Sequence, residues 1–245
     1  MIDDKEKNAK LKAIFSAFIF SIVLMIFPVA SGVIVAINKM DNLKGYWVQG
    51  SFMMLSIIVP AFYMRIKKIR LAQIGFIGIE KDSLKTVLYF LPLIVAKIGF
   101  FYSGIKKDVH IILALIFFTI AIGLSEEIYF RGIILKKLTT SYSLKQTVIL
   151  SAAFFALVHA SQAFSGVGLT MTALTIVNAL IFGIIAAEVV LLTKSIVYVI
   201  IWHAMYDFVN WISLVEGTTE VIIILIQSII MIMYAVYLWG KLYDK

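Results

Sequence analysis

The sequence contains no cysteine and only three prolines among its 245 residues. Without thiols, disulfides, thiolate zinc sites and a cysteine nucleophile are all excluded. Charge is scarce as well. Asp, Glu, Lys and Arg together make up 15% of the chain against 62% hydrophobic residues, and the mean hydropathy is +1.02. So little charge cannot cover the surface of a water-soluble domain. Three motifs of membrane proteases are missing too: the His-Glu-x-x-His zinc helix, the Gly-x-Gly-Asp aspartyl motif and the Gly-x-Ser-x-Gly serine elbow. No internal repeat, low-complexity tract or second domain is visible.

What the chain does have is apolar runs almost from end to end. They fall near residues 13–37, 46–64, 86–103, 109–130, 147–164, 168–192, 195–215 and 219–239. A spanning helix needs roughly 20 apolar residues, so the pattern predicts an all-α polytopic membrane protein of about eight transmembrane helices. These should form one bundle, with residues 1–245 as a single integral membrane domain. The first run follows four lysines and could pass for a signal peptide, but a secretory apolar region is about 7–15 residues and this one is longer. It is read as a retained helix. Between the second and third runs, Arg65 to Lys85 carries six basic residues around the apolar stretch Leu71 to Ile79 and reads as an interfacial segment on anionic headgroups.

A net charge of +8 fits lipid headgroups and membrane topology rather than nucleic acid. With the N-terminus inside, the inner segments hold 17 of the 22 lysines and arginines and the outer loops four, Lys97 being the one left within a run. The positive-inside rule then predicts both termini in the cytoplasm.

Ionisable residues inside the runs are costly and tend to mark function. They are Lys97, Glu126, Glu127, Arg131, His159, Glu188, His203 and Asp207. Depth links several of them. Glu126 lies ten residues before Lys136, His159 fourteen after Lys145 and His203 nine after Lys194. At 1.5 Å per residue these are depths of about 15, 21 and 14 Å from the lysine-marked side, and Asp207 is at about 20 Å. Three helices thus bring acids and imidazoles to one level, which predicts a shared cavity. Glu127 and Arg131 are four apart with the acid first, the favourable order for a pair along a helix, leaving Glu126 free. His203 and Asp207, also four apart, share one face. His159 taken alone, beside Ala160 and Ser161, reads as a packed histidine with a satisfied hydrogen bond. His110 sits at an interface and reads as idle, while Lys97 and Glu188 can pair with the cluster or snorkel. Peptide hydrolysis needs a base for water, donors for an oxyanion and an acid for the leaving amine, and Glu126, His159 and His203 can supply these.

Three stretches, Glu126-Glu127-Ile-Tyr-Phe-Arg131-Gly132, Phe155-Ala-Leu-Val-His159 and His203-Ala-Met-Tyr-Asp207, resemble in order the three motifs of the CPBP (or Abi) family. That family comprises type II CAAX prenyl proteases and bacterial bacteriocin-processing or self-immunity proteins. The resemblance covers about residues 109–215, the expected catalytic core. It implies an intramembrane endopeptidase in which Glu126 and His159 activate a water, His203 and Asp207 stabilise the oxyanion, and Glu127 and Arg131 support them. It also implies a glutamate-dependent reaction that requires no metal, although members were long called metalloproteases. The third motif often ends in asparagine. Asp207 can donate a hydrogen bond only when protonated; otherwise it is an acceptor or a metal ligand, which keeps zinc open. The expected partners are a peptide or protein substrate and membrane lipids, with no nucleic acid, and the expected location is a bacterial cell membrane. Two other roles are open: a non-catalytic immunity protein that binds a bacteriocin or its receptor, and a small transporter. The transporter is disfavoured because Pro28, Pro60 and Pro92 all precede the motifs.

Overall fold

A computed structural model describes residues 4–77, 91–161 and 168–243. The chain is all-α, and each of the eight apolar runs is represented by helix. α1 spans Asp4–Ile37. α2 (Asn42–Ser56) and α3 (Ile58–Lys67) form one rod interrupted at Ile57. α4 (Leu91–Val95) is followed by a 3-10 turn at Ile98–Phe101. α5 (Val109–Glu127) continues through π-helical turns at Ile128–Ile134 into α6 (Leu135–Thr139). α7 (Leu144–His159), α8 (Leu169–Thr193), α9 (Val197–Ile212) and α10 (Gly217–Tyr243) complete the bundle.

Local chemistry sets several of these boundaries. Asp108 caps α5 by accepting from the backbone N–H groups of His110 and Ile111 at 2.8 and 3.2 Å. Ser143 and Gln146 form a reciprocal capping box at the start of α7. Lys194 ends α8 in a left-handed conformation, φ 60°.

Five rods are long and apolar enough to cross a bilayer: Asp4–Ile37, Asn42–Lys67, Val109–Thr139, Leu169–Thr193 and Gly217–Leu242. Their outer faces are greasy. On α10, Ile222, Leu225, Ile226, Ile229, Ile232, Met233 and Val236 are all exposed at helical spacing, a stripe that water would not tolerate and lipid would. The chain is therefore an integral membrane protein. The third run is less regular than expected. Its described part is an interrupted helix, because the chain turns at Ala96 and Lys97 before the 3-10 turn.

Two backbone clasps define the ends of the bundle. At one, Lys106 N–H donates to Ile212 O at 2.9 Å and Leu214 N–H to Gly104 O at 3.1 Å, tying the start of α5 to the end of α9. At the other, Ile196 N–H donates to Gly75 O at 2.8 Å, and the Lys136 ammonium to Gln73 O at 2.7 Å. α5 and α9 therefore run antiparallel. The described part of the expected interfacial segment, a 3-10 turn at Leu71–Ile74 and the residues after it, lies at the end marked by Lys136 and Lys194. The rest of that segment, beyond Ile77, and the loop after Ala163 lie outside the described residues.

Helix contacts around the motifs are close because glycines stand at the crossings. A Cβ on Gly123 would sit 3.0 Å from both Ala204 N and Ile200 O, so α5 meets α9 backbone to backbone one turn before Glu126. A Cβ on Gly183 would lie 2.9 Å from Ala152 Cα, which brings α8 equally close to α7. The N-terminal helices support this core from the side. Tyr129 donates its hydroxyl to Ser56 O at 3.0 Å, at the break between α2 and α3, and its ring packs edge-on against Phe20 of α1. Because backbone atoms cannot yield as a side chain does, Gly123→Leu should force α5 and α9 apart, with overpacking of about 1–3 kcal/mol or more. A lower Tm in detergent together with lost function would bear this out, and an unchanged Tm would show that the crossing is loose.

Candidate active site

All four residues assigned to catalysis, and both supporting ones, lie where α5, α7, α8 and α9 converge. The supporting pair is sealed. Arg131 Nη1 donates to Glu127 Oε1 at 2.9 Å, and both side chains have 0% exposure. Arg131 also reaches Gly183 O at 3.4 Å, and its guanidinium stands 4.4 Å from the centre of the Phe155 ring, which gives it a cation–π surface. The expected spacing of this pair holds, but not on a regular α-helix. Arg131 lies in the π-helical turns, an unusual geometry that recurs at functional sites.

His203 is the hub. Its Nδ1 lies 2.7 Å from Glu127 Oε1. An ionised carboxylate only accepts, so Nδ1 carries the proton and the orientation of the ring is set by a group that Arg131 in turn holds. That leaves Nε2, which lies 3.5 Å from Asp207 Oδ2 and 3.9 Å from Glu126 Oε2. Phe182 packs against the imidazole at 4.5 Å and stacks on Trp202 at 4.2 Å, walling the ring on its apolar side.

Exposure separates the acids into two kinds. Glu127 is closed off, whereas the Glu126 and Asp207 side chains keep 11% and 20% exposure. Glu126 Oε2 has no hydrogen-bond partner among the described residues, as expected of the acid left free by its neighbour's ion pair. His159 packs beside Phe155, the ring centres being 4.7 Å apart. Its Nδ1 lies 2.9 Å from Phe155 O, and since a carbonyl only accepts, the proton is on Nδ1 and Nε2 presents a lone pair. His159 is thus both a satisfied histidine and one with a nitrogen available. No hydrogen bond or ion pair joins it directly to Glu126 among the described residues, so any water they share has to bridge them.

The remaining buried charges separate in the same way. Lys97 does not snorkel; it donates to Asn210 Oδ1 at 2.6 Å. Glu188 is fully buried, and neither of its carboxylate oxygens has a partner among the described residues. His110 is exposed, at the start of α5. Among the described residues, no group of three or more His, Asp and Glu side chains is disposed to hold a metal ion. Of the aromatic walls, Phe155 stands in the second motif, whereas Phe182 looks like an ordinary core residue of an apolar helix. Asn210 carries a weak signal, since it continues the stripe of His203 and Asp207 at i+7.

No curated protein matches the chain. A family comparison does. Residues 108–209, which carry all three motifs and every candidate catalytic and supporting residue named above, match the family model for type II CAAX prenyl endopeptidase Rce1-like.

Proposed function

We propose that the protein is a glutamate-dependent intramembrane endopeptidase that hydrolyses a peptide or protein substrate within or beside the bilayer. The observation that carries this reading is the convergence on His203 Nε2 of two partly open carboxylates, Glu126 and Asp207, behind a fully sealed Glu127–Arg131 pair. In the proposed step, Glu126 takes a proton from a water lodged between it and His159, and the oxygen bonds to the scissile carbonyl carbon. His203, as an imidazolium with its Nδ1–H on Glu127, donates from Nε2 to the oxyanion, with Asp207 steadying that nitrogen. As the intermediate collapses the carbon–nitrogen bond breaks, and the proton held by Glu126 passes to the departing amine. Atoms and charge balance with one water consumed. Glu127 and Arg131 do no chemistry here; they fix the imidazole that does.

The likeness to CAAX prenyl endopeptidases supports a CAAX-like segment as one substrate class. A peptide precursor, in bacteriocin maturation or self-immunity, is a second. Membrane lipids are the surrounding partner, and the lysine-rich side of the bundle is taken as cytoplasmic. On this reading activity needs no zinc. Chelators should therefore leave the rate of reporter-peptide cleavage by purified protein unchanged, whereas loss of activity with recovery on adding zinc would replace glutamate catalysis by a metal-assisted reaction.

A further inference from the structure

Lys97 occupies an unusual position for a lysine in a membrane protein. It lies between α4 and the 3-10 turn, outside the segment matched by the family comparison, and is only 5% exposed. Its ammonium crosses to α9, 113 positions later in the chain, to bond Asn210 Oδ1 at 2.6 Å, and it stands 3.2 Å from the centre of the Tyr206 ring and 4.6 Å from that of Phe100. An amide oxygen and two ring faces are dipolar partners. They orient an ammonium but do not neutralise it.

The acid that can neutralise it is on the same face of α9. His203, Asp207 and Asn210 fall at i, i+4 and i+7, one continuous stripe. Lys97 holds the Asn210 end, His203 the other, and Asp207 lies between, 3.5 Å from His203 Nε2. Asp207 stands about one helical turn before Asn210 on the face of α9 that Lys97 meets, which makes it the acid of that stripe. The census of the cluster agrees. With the three carboxylates Glu126, Glu127 and Asp207 all counted as ionised against Arg131 and a protonated His203, one negative charge is left over. Lys97 supplies the missing positive one.

We infer that Lys97 is the positioning residue of Asp207: its ammonium, anchored on Asn210 and Tyr206, provides the counter-charge that keeps the Asp207 carboxylate aimed at His203. The region before the motifs therefore completes the site rather than merely flanking it. The kinetic consequence rests on the proposed hydrolysis; the coupling between the two charges does not.

A double-mutant cycle tests it, using full-length protein in detergent with two readouts, Tm and the initial rate on a reporter peptide. K97M strands the Asp207 carboxylate and D207N strands the ammonium, so each should lower Tm, and K97M should lose at least about tenfold in rate. In K97M/D207N both charges are gone, and the double variant should recover Tm and cleave about tenfold or more faster than the two single losses multiplied together. K97Q can still donate to Asn210 without a charge. It should resemble K97M. Multiplicative losses, additive Tm changes or a wild-type K97Q would each overturn the inference. If K97M cannot be isolated, recovery of folded protein in K97M/D207N counts as the rescue, and failure of both to fold counts against it. If the wild type cleaves no reporter, the proposed hydrolysis is in question, and the Tm cycle still decides whether Lys97 and Asp207 are partners.

Discussion

Glu126→Gln and His159→Ala should each reduce cleavage by about 10²–10⁴-fold while leaving the protein folded, and the double variant should be about as inactive as either alone. The geometry sets this expectation. Glu126 Oε2 bonds to nothing described, and the His159 ring is held from behind by Phe155 O. Neither side chain is a structural keystone, and Gln keeps the shape of Glu while removing the base. The losses do not multiply because both groups serve the same water, and once one is gone the other has no activated nucleophile to act with. Matched Tm values for the three variants and wild type, beside their initial rates, make the measurement. If the double loss equals the product of the single losses, the two residues act in separate steps and the shared water is wrong.

Arg131→Ala should fail in a different way. It removes the cation from a pair with 0% exposure on both sides, leaving Glu127 with His203 as its sole described partner and emptying the space over the Phe155 ring. Breaking a buried pair from one side costs about 3–5 kcal/mol, because the surviving charge stays out of water. A large fall in folded protein is expected, and whatever remains should be inactive, since the His203 ring loses its orientation. Arg131→Ala and Glu127→Gln combined should recover part of the folded yield without recovering activity. Normal amounts of stable, inactive Arg131→Ala protein would instead make this arginine a participant in the chemistry.

Much of this was legible in the residues alone. Eight apolar runs mapped onto eight helical runs, and the i, i+4 spacings of Glu127–Arg131 and His203–Asp207 predicted contacts that exist at 2.9 and 3.5 Å. Spacing within a helix is local, and the geometry of one helix is enough to read it. What could not be read is how one helix is rotated and shifted against another. That His203 bonds Glu127, 76 positions away, is decided by the crossing at Gly123, where Ala204 backbone fills the space of a side chain. The π-helical turns were equally hidden, as hydropathy is blind to whether seven apolar-flanked residues wind at four or five per turn. The third apolar run looked like a full helix because composition says nothing about the turn at Lys97. That turn delivers the lysine to Asn210. A lysine in an apolar run was visible, but not its partner on a distant helix.

The central claim is that this buried cluster hydrolyses a peptide bond by way of Glu126. Its most direct test is to reconstitute purified wild-type protein and Glu126→Gln, at matched Tm, in lipid vesicles with a membrane-associated reporter peptide, and to identify the products by mass. The account predicts that wild type yields two fragments whose masses sum to that of the reporter plus one water, and that Glu126→Gln yields none above the no-protein control. Equal cleavage by both proteins would contradict it. So would an intact reporter with a wild type that still protects its host from a bacteriocin as well as Glu126→Gln does, which would make this a binding protein built on a protease fold.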